Sequence, residues 1–241
     1  PKCKRFLPID EIEEKNLESE FFKDEGLHDA LECGYEVPSW FTFSEVIHEL
    51  KKTCKPRSKT GITLFFTGLS GSGKSTLAKI IYSKFIEEGK RPVTLLDGDV
   101  VRHYLSSELG FSKEHRDINV KRIGYVASVI NKNGGIAICA PIAPYKLIRD
   151  YVRSQNDQYG AFIEIHVATP LETCEKRDRK GLYAKARKGE IKQFTGISDP
   201  YEVPLRPELK IDTSLCTPME AAQEIMLYLL REGFVGGEDI Y

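Results

Sequence analysis

FFTGLSGSGKSTLAK, residues 65–79, runs from apolar residues into Gly68, Gly71, Gly73, Lys74 and Ser75, and then into a helical pattern. It meets G-x-x-x-x-G-K-[ST] at every fixed position, and a strand before and a helix after are the setting that motif requires. The glycines let backbone N–H groups turn inward around phosphates, and the helix N-terminus adds partial positive charge. The loop Gly68, Leu69, Ser70, Gly71, Ser72, Gly73, Lys74, Ser75 and Thr76 is therefore expected to hold a nucleotide. Lys74 is expected to bridge the β- and γ-phosphates, and the Ser75 hydroxyl to take a Mg²⁺ position. The stretch establishes nucleotide binding and leaves the fate of the terminal phosphate open: water, a protein, or a small molecule.

Outward from the loop the pattern is regular. ITLFFTG is a buried strand, and SGKSTLAKIIYSKFIEEG a helix closed by Gly89. PVTLLDGD, GIAICAPI, AFIEIHVAT and the short LKIDTS read as further strands. VVRHYLSSELG, RDINVKRIGYVASVINKNG, YKLIRDYVRS and TPMEAAQEIMLYLLREG read as helices. Wholly apolar strands alternating with helices indicate an α/β fold of the P-loop NTPase type, a parallel sheet of about five strands covered on both faces. Before this region, residues 1–35 are acidic and poorly periodic, with no helical stripe beyond the last turn. VPSWFTFSEVIHELKK then gives a short amphipathic helix after Ser44 as N-cap, and TCKPRSKTG a linker. The expected division is an arm over residues 1–58 and a P-loop domain over 59–241.

The chain has 241 residues and a net charge of −1, which argues against nucleic acid or an acidic membrane as main partner. Its apolar runs are strand-sized, far too short to span a bilayer. The start at Pro1 shows no charged-then-apolar leader, and a start without Met suggests a fragment, so a targeting segment stays open. The six cysteines form no C-x-x-C pair and no zinc-like spacing with the five histidines, which reads as reduced thiols in a cytoplasmic protein.

The loop alone does not name a reaction. A signalling GTPase should carry N-K-x-D and D-x-x-G. NKNG at residues 131–134 lacks the Asp, and no D-x-x-G follows the second strand. A small-molecule kinase using ATP is the leading class. LLDGDVVR puts Asp97 and Asp99 at the carboxyl end of a strand beside the loop, where open α/β sheets bind ligands. One carboxylate can orient Mg²⁺ through water, and the other can take the proton of an attacking hydroxyl, with Gly98 as a tight turn between them. Arg102 lies on the same side of the following helix, suited to an anionic acceptor. Phe111 can stack on a base, and Arg116 with Asn119 can bind phosphate or sulfate oxygens. Residues 174–192 hold eight Lys or Arg against three Asp or Glu, as in a cationic lid over a phosphoryl group.

In order and spacing, GLSGSGKST, DGDxxR, GFSxxxRxxNxxRIGxVA, PY at 144–145, KGLYxKARxGEIKxFTGIxDPYE and PEL at 207–209 are similar to adenylyl-sulfate kinase (APS kinase) over roughly residues 60–232. The resemblance implies Mg²⁺-dependent transfer of the ATP γ-phosphate to the 3′-hydroxyl of adenylyl sulfate, in sulfate assimilation, by a homodimer. It implies that Asp99, Arg102, Phe111, Arg116, Asn119, Ile142, Lys180 and Phe194 line the adenylyl-sulfate pocket, with Phe111 and Phe194 sandwiching the adenine. Many members carry Ser before Pro-Tyr, a position considered for phosphorylation. Ala143 stands here, so a phosphoenzyme route is closed and direct transfer, with Asp99 as base, remains. FLPIDEI and LHDALECGYEVPSWFTFSEVIHELKKTCKPRSK resemble the tail of ATP sulfurylase and its joint to the kinase, without that tail's S-G-T-x-[LI]-R. No sulfurylase Q-x-R-N or H-x-x-H occurs, so an ATP sulfurylase domain or protein is an expected partner. The alternatives are another small-metabolite or nucleotide kinase, and an ATP-regulated module of a sulfurylase complex.

Overall fold

A computed structural model describes residues 24–236. The FLPIDEI stretch, residues 6–12, and Cys3 lie outside the described residues. The chain divides into two compact units, Pro1–Lys55 and Pro56–Tyr241.

In the smaller unit α1 is Asp24–Cys33 and α2 is Ser44–Thr53. They share a cluster of Ala30, Leu31 and Val37 with Leu27, Phe41, Ile47 and Leu50. Two local expectations differ here. The acidic stretch is helical over ten residues, because Leu27, Ala30 and Leu31 form a stripe that charges on either side obscure. Ser44 is the first helical residue rather than the cap: Phe43 stands at the N-cap without a side-chain bond, and the Ser44 hydroxyl donates to Glu45.

In the larger unit a 3₁₀ turn, Arg57–Lys59, leads into β1, Gly61–Thr67. Then follow α3 Lys74–Glu88, β2 Val93–Asp97, α4 Gly98–Leu105 and α5 Lys113–Lys132. Next come β3 Ile136–Ala140, α6 Lys146–Asn156 and β4 Gly160–Val167. The last elements are α7 Leu171–Arg177, α8 Leu182–Arg187, β5 Leu209–Ile211 and α9 Pro218–Arg231. All strand pairs are parallel, in the order β2-β3-β1-β4-β5. The α/β architecture with a five-stranded parallel sheet is the one expected from the alternation.

β1 is central and buried at every position, which is why its sequence shows no polar alternation. Ile62, Leu64 and Phe66 face α3 and α9, packing with Leu77, Ile81, Ile225 and Leu229. Phe65 faces α5 and α6, packing with Ile123, Ala127, Ile148 and Val152. Each such fully buried side chain is worth about 1.5–3 kcal/mol. Thr63 is a polar residue on that second face. Its hydroxyl meets the side chains of Asn131 and Asn156, both at 3.1 Å, which ties α5 and α6 to the central strand.

Because the strands are parallel, the carboxyl ends of β1, β2, β3 and β4 open on one edge of the sheet. The loops there, residues 68–73, 98–99, 141–145 and 168–170, form the candidate site. No helix among the described residues is long and apolar enough to cross a membrane.

Candidate active site

The loop after β1 curls back on itself. Gly68, Gly71 and Gly73 take φ of 149°, 73° and 105°, a region that favours glycine. Gly73 caps α3 without a side chain, so the helix's first N–H groups are left for an anion. The loop's own backbone is held from below. The Ser72 carbonyl accepts from Thr169 Oγ1 at 3.0 Å and from Thr213 Oγ1 at 2.8 Å. Arg177 binds the Thr213 hydroxyl and carbonyl, each at 2.8 Å, and so fastens α7 to the loop after β5. Sequence reading missed these three residues. The local signs were Thr at or near the ends of AFIEIHVAT and LKIDTS, and Arg177 stood undistinguished within the basic stretch 174–192.

Lys74 lies in the first turn of α3, 7% exposed, with Nζ donating to the Leu69 carbonyl at 2.6 Å. Burial pushes its ammonium pKa down to about 8, against the pull of Asp97 and Asp99. Ser75 follows on the same turn and is partly exposed. Thr76 is exposed, and Leu69 packs toward Cys174, Tyr183 and Phe194.

DGD is more ordered than a turn. α4 starts at Gly98, and Asp97 is its N-cap, its carboxylate accepting the Asp99 N–H at 3.0 Å. Gly98 is not required by φ, and a Cβ there would crowd the Ala140 carbonyl oxygen at 3.3 Å. The cap fixes Asp99 in the first turn of α4, with its carboxylate ion-paired to Lys180 from the basic segment. Three residues on, Arg102 donates to the Leu109 and Gly110 carbonyls at 3.0 and 2.8 Å, and its guanidinium sits 4.7 Å over the Phe111 ring. Phe111 is 66% exposed and offers a free aromatic surface.

α5 begins earlier than the periodicity suggested, at Lys113, because Ser112 caps the His115 N–H at 3.3 Å. That puts Arg116 and Asn119 one turn apart on a buried face. Arg116 donates to Thr195 Oγ1 at 2.8 Å and the Tyr145 hydroxyl at 2.9 Å, and ion-pairs with Asp199. Its Nε and the Asn119 Oδ1 are buried without partners. Such orphans are costly, and a polar ligand would satisfy them. Phe194 is 9% exposed and meets Tyr183 edge-on at 4.9 Å. It makes no ring contact with Phe111. The Ile142 carbonyl accepts from Thr67 Oγ1 at 2.7 Å and from the Gly68 N–H at 3.3 Å, so the loop after β3 is sewn to the phosphate loop. Tyr145, Thr195 and Asp199 lie within the quoted resemblance blocks, where no local pattern marks them as partners of Arg116.

Beneath this floor His166 is buried on β4, its ring stacked on Tyr201 at 5.8 Å and its Nδ1 without a partner. Burial, reinforced by the Lys210 and Arg149 cations, pushes its pKa down to about 4. The unfolded chain takes a proton near 6.5 that the folded protein refuses until about pH 4. The stability tied to this site is full above pH 6.5 and is lost as pH falls, by roughly 3 kcal/mol at pH 4. His166→Phe is expected to flatten the dependence of Tm on pH between 6.5 and 4. Equal slopes in the two proteins would refute the assignment.

The model of the adenylylsulphate kinase family matches residues 60–212. The Mycobacterium tuberculosis APS kinase CysC, solved in complex with AMPPNP and APS, is 42% identical with a TM-score of 0.67, covering 70% of this chain and 98% of its own. The hexameric APS kinase from Thiobacillus denitrificans is 47% identical with a TM-score of 0.68, covering 90% of this chain and 38% of that one. Among curated relatives, the sulfate adenylyltransferase of Chaetomium globosum is 42% identical over 235 residues, 98% of this chain. The chain spans 41% of that relative's length. With a P-loop joined to a carboxylate-bearing α4 and a family match over most of the larger unit, the chain belongs to the adenylylsulphate kinase family.

Proposed function

We propose that the chain transfers the γ-phosphoryl group of ATP to the 3′-hydroxyl of adenylyl sulfate, releasing ADP and 3′-phosphoadenylyl sulfate. The observation that carries this reading is the capped α4. It supports the reading because it carries Asp99, whose carboxylate acts on the Lys74 ammonium, and Arg102, which is within electrostatic reach of Arg116. The loop glycines and Lys74 hold the β- and γ-phosphates. Asp99 receives the proton of the ribose hydroxyl as its oxygen attacks the γ-phosphorus and the bond to the β-phosphate oxygen breaks. Arg102, Arg116, Asn119, Ile142 and Lys180 hold adenylyl sulfate, and Phe111 and Phe194 flank its adenine. Among the described residues no three His, Cys, Asp or Glu converge on a metal position. The donor set fits a Mg²⁺ ion: the Ser75 hydroxyl and the Asp97 carboxylate would hold it, and it would neutralise phosphate charge. Ala143 has no hydroxyl and is 1% exposed, in keeping with direct transfer.

The assay is ATP turnover with and without adenylyl sulfate, with the product identified by mass. Formation of 3′-phosphoadenylyl sulfate with ADP supports the reading. Turnover only with other acceptors moves it to another small-metabolite kinase. ATP binding without turnover moves it to a regulatory module of a sulfurylase complex. Phe111→Ala is expected to raise KM for adenylyl sulfate about tenfold, the value of one lost base stack, with KM for ATP unchanged. Equal changes in both would remove Phe111 from the acceptor pocket.

We further propose a homodimer through the outer faces of α5 and α6, where Ile118, Tyr125, Val129, Leu147 and Tyr151 are exposed. Light scattering after gel filtration tests it. Residues 1–58 are proposed as a sulfurylase-type tail, with an ATP sulfurylase domain as partner, a reading supported by the name and greater length of the curated relatives. A cytoplasmic setting is proposed on the Cys54, Cys139, Cys174 and Cys216 thiols.

A further inference from the structure

We infer that Arg149, remote from the phosphate loop in sequence and 3% exposed, is a positioning residue. It locks the loop after β3, residues 141–145, to the segment 199–202 through which the chain leaves the basic segment. The inference rests on the proposed acceptor site and deepens it.

Arg149 lies on α6 and uses all three of its nitrogens. Nη1 donates to the Ala143 carbonyl at 2.8 Å and Nη2 to the Glu202 carbonyl at 2.7 Å, while Nε faces Glu164 at 2.9 Å. One guanidinium thus joins two loops that are separated by more than a lid's length of chain. The same seam carries other stitches. Glu202 N–H donates to the Pro144 carbonyl at 2.8 Å, and Lys146 N–H to the Glu202 carboxylate at 2.5 Å. The Tyr201 hydroxyl meets Thr67 Oγ1 at 2.9 Å, and Thr67 in turn holds Ile142.

Two features show that the carbonyl fork is more than filling for a buried charge. First, Glu164 has a second cation, Arg153 at 3.5 Å, which itself grips Glu208 through two bonds of 2.8 and 2.7 Å. Second, Ala143 is held at φ 45°, a left-handed conformation that costs a residue with a Cβ about 1–2 kcal/mol. Its carbonyl is aimed at Arg149, with Thr67 Oγ1 at 3.2 Å as a second donor. Strain of this kind persists where the surroundings over-determine it. Ile142, just before Ala143, belongs to the proposed acceptor pocket, and Tyr145, two residues after Ala143, accepts from Arg116 of the same pocket. Asp199, at the other end of the seam, pairs with the same Arg116. Arg149 therefore acts on the acceptor through backbone placement and touches no reacting atom. A planar three-way donor is needed, which a lysine ammonium cannot replace.

Two variants test this: Arg149→Lys, which keeps a cation for Glu164, and Arg149→Met with Glu164→Gln, which removes the pair together so that no buried charge is stranded. Hydrogen exchange of the free protein is expected to show joint loss of protection in residues 141–146 and 199–203, with α9 unchanged. KM for adenylyl sulfate is expected to rise about tenfold, the worth of one or two lost hydrogen bonds, with KM for ATP within about twofold. Wild-type protection of both segments in both variants overturns the inference, and so does an equal rise in the two KM values. If the wild-type protein does not accept adenylyl sulfate, the proposed acceptor falls, while the exchange arm still decides whether Arg149 couples the two segments.

Discussion

Lys74→Ala is expected to lower kcat by about 10³-fold, some 4 kcal/mol of transition-state stabilisation, while leaving the protein folded. The ammonium is the one cation rooted in the phosphate loop itself. It donates to the Leu69 carbonyl at 2.6 Å and to Ser72 Oγ at 3.4 Å, so its charge lies inside the loop that is proposed to surround the phosphates. Its folded pKa of about 8 stands below the ordinary lysine value because burial disfavours the charge. Below pH 8 the folded protein therefore carries that cost, and removing the side chain is not expected to lower Tm at pH 7. The same shift sets a pH limb. The free enzyme loses the ammonium proton above about pH 8, so kcat/KM for ATP is expected to fall there. Bound phosphates raise the pKa again, so kcat should hold to higher pH. Lys74→Ala should abolish that limb as well as the rate. A variant with near-normal turnover, or with the wild-type limb intact, would show that another group neutralises the γ-phosphate.

The loop that holds Lys74 was legible because everything that makes it work is local: three glycines, a lysine and a helix start within nine residues. The central strands were legible for a similar reason, since β1, β3 and β4 are mostly apolar and mostly buried, with Thr63, Thr67, Glu164 and His166 as polar exceptions. What escaped was what depends on distant chain or on a single cap. Asp97 as N-cap moves the start of α4 into DGD, and Ser112 moves the start of α5 forward by a turn. Neither change alters the hydrophobic period from which helices are read. Strand order is invisible to such periods, because the same β–α alternation allows several crossover routes. Within the site, Arg116 and Asn119 could be picked out as polar residues near an aromatic. Their fixing partners Thr195 and Asp199 lie 79 and 83 residues away, in a segment with no regular pattern. Arg149 sat in an amphipathic helix where an arginine reads as surface. Its burial follows from the paired carboxylate on β4, which no local spacing announces.

Asp99→Asn is expected to lower kcat by about 10²–10³-fold, with KM for adenylyl sulfate changed no more than a few-fold. The two side chains have the same shape, and the Asp97 cap that holds residue 99 acts on its backbone N–H, so the first turn of α4 should survive the exchange. What is lost is the charge and the capacity to take a proton. The difficulty in reading such a result is Lys180, which pairs with Asp99 and would be freed by the same substitution. A loss could then reflect a displaced lysine rather than a missing base. The Lys180→Ala variant and the double variant separate the two. If Asp99 serves only to hold Lys180, both single variants lose the same amount and the double is no worse than either. If Asp99 takes the ribose proton, Asp99→Asn falls well below Lys180→Ala, and the double falls at least as far as Asp99→Asn. Because both groups are exposed, their pairing by itself is worth at most about 1 kcal/mol. A hundredfold loss corresponds to about 2.7 kcal/mol, more than the broken ion pair can supply, and would point to proton transfer at Asp99. An unchanged kcat would remove Asp99 as the base and leave the 3′-hydroxyl to lose its proton to solvent or to the phosphate itself.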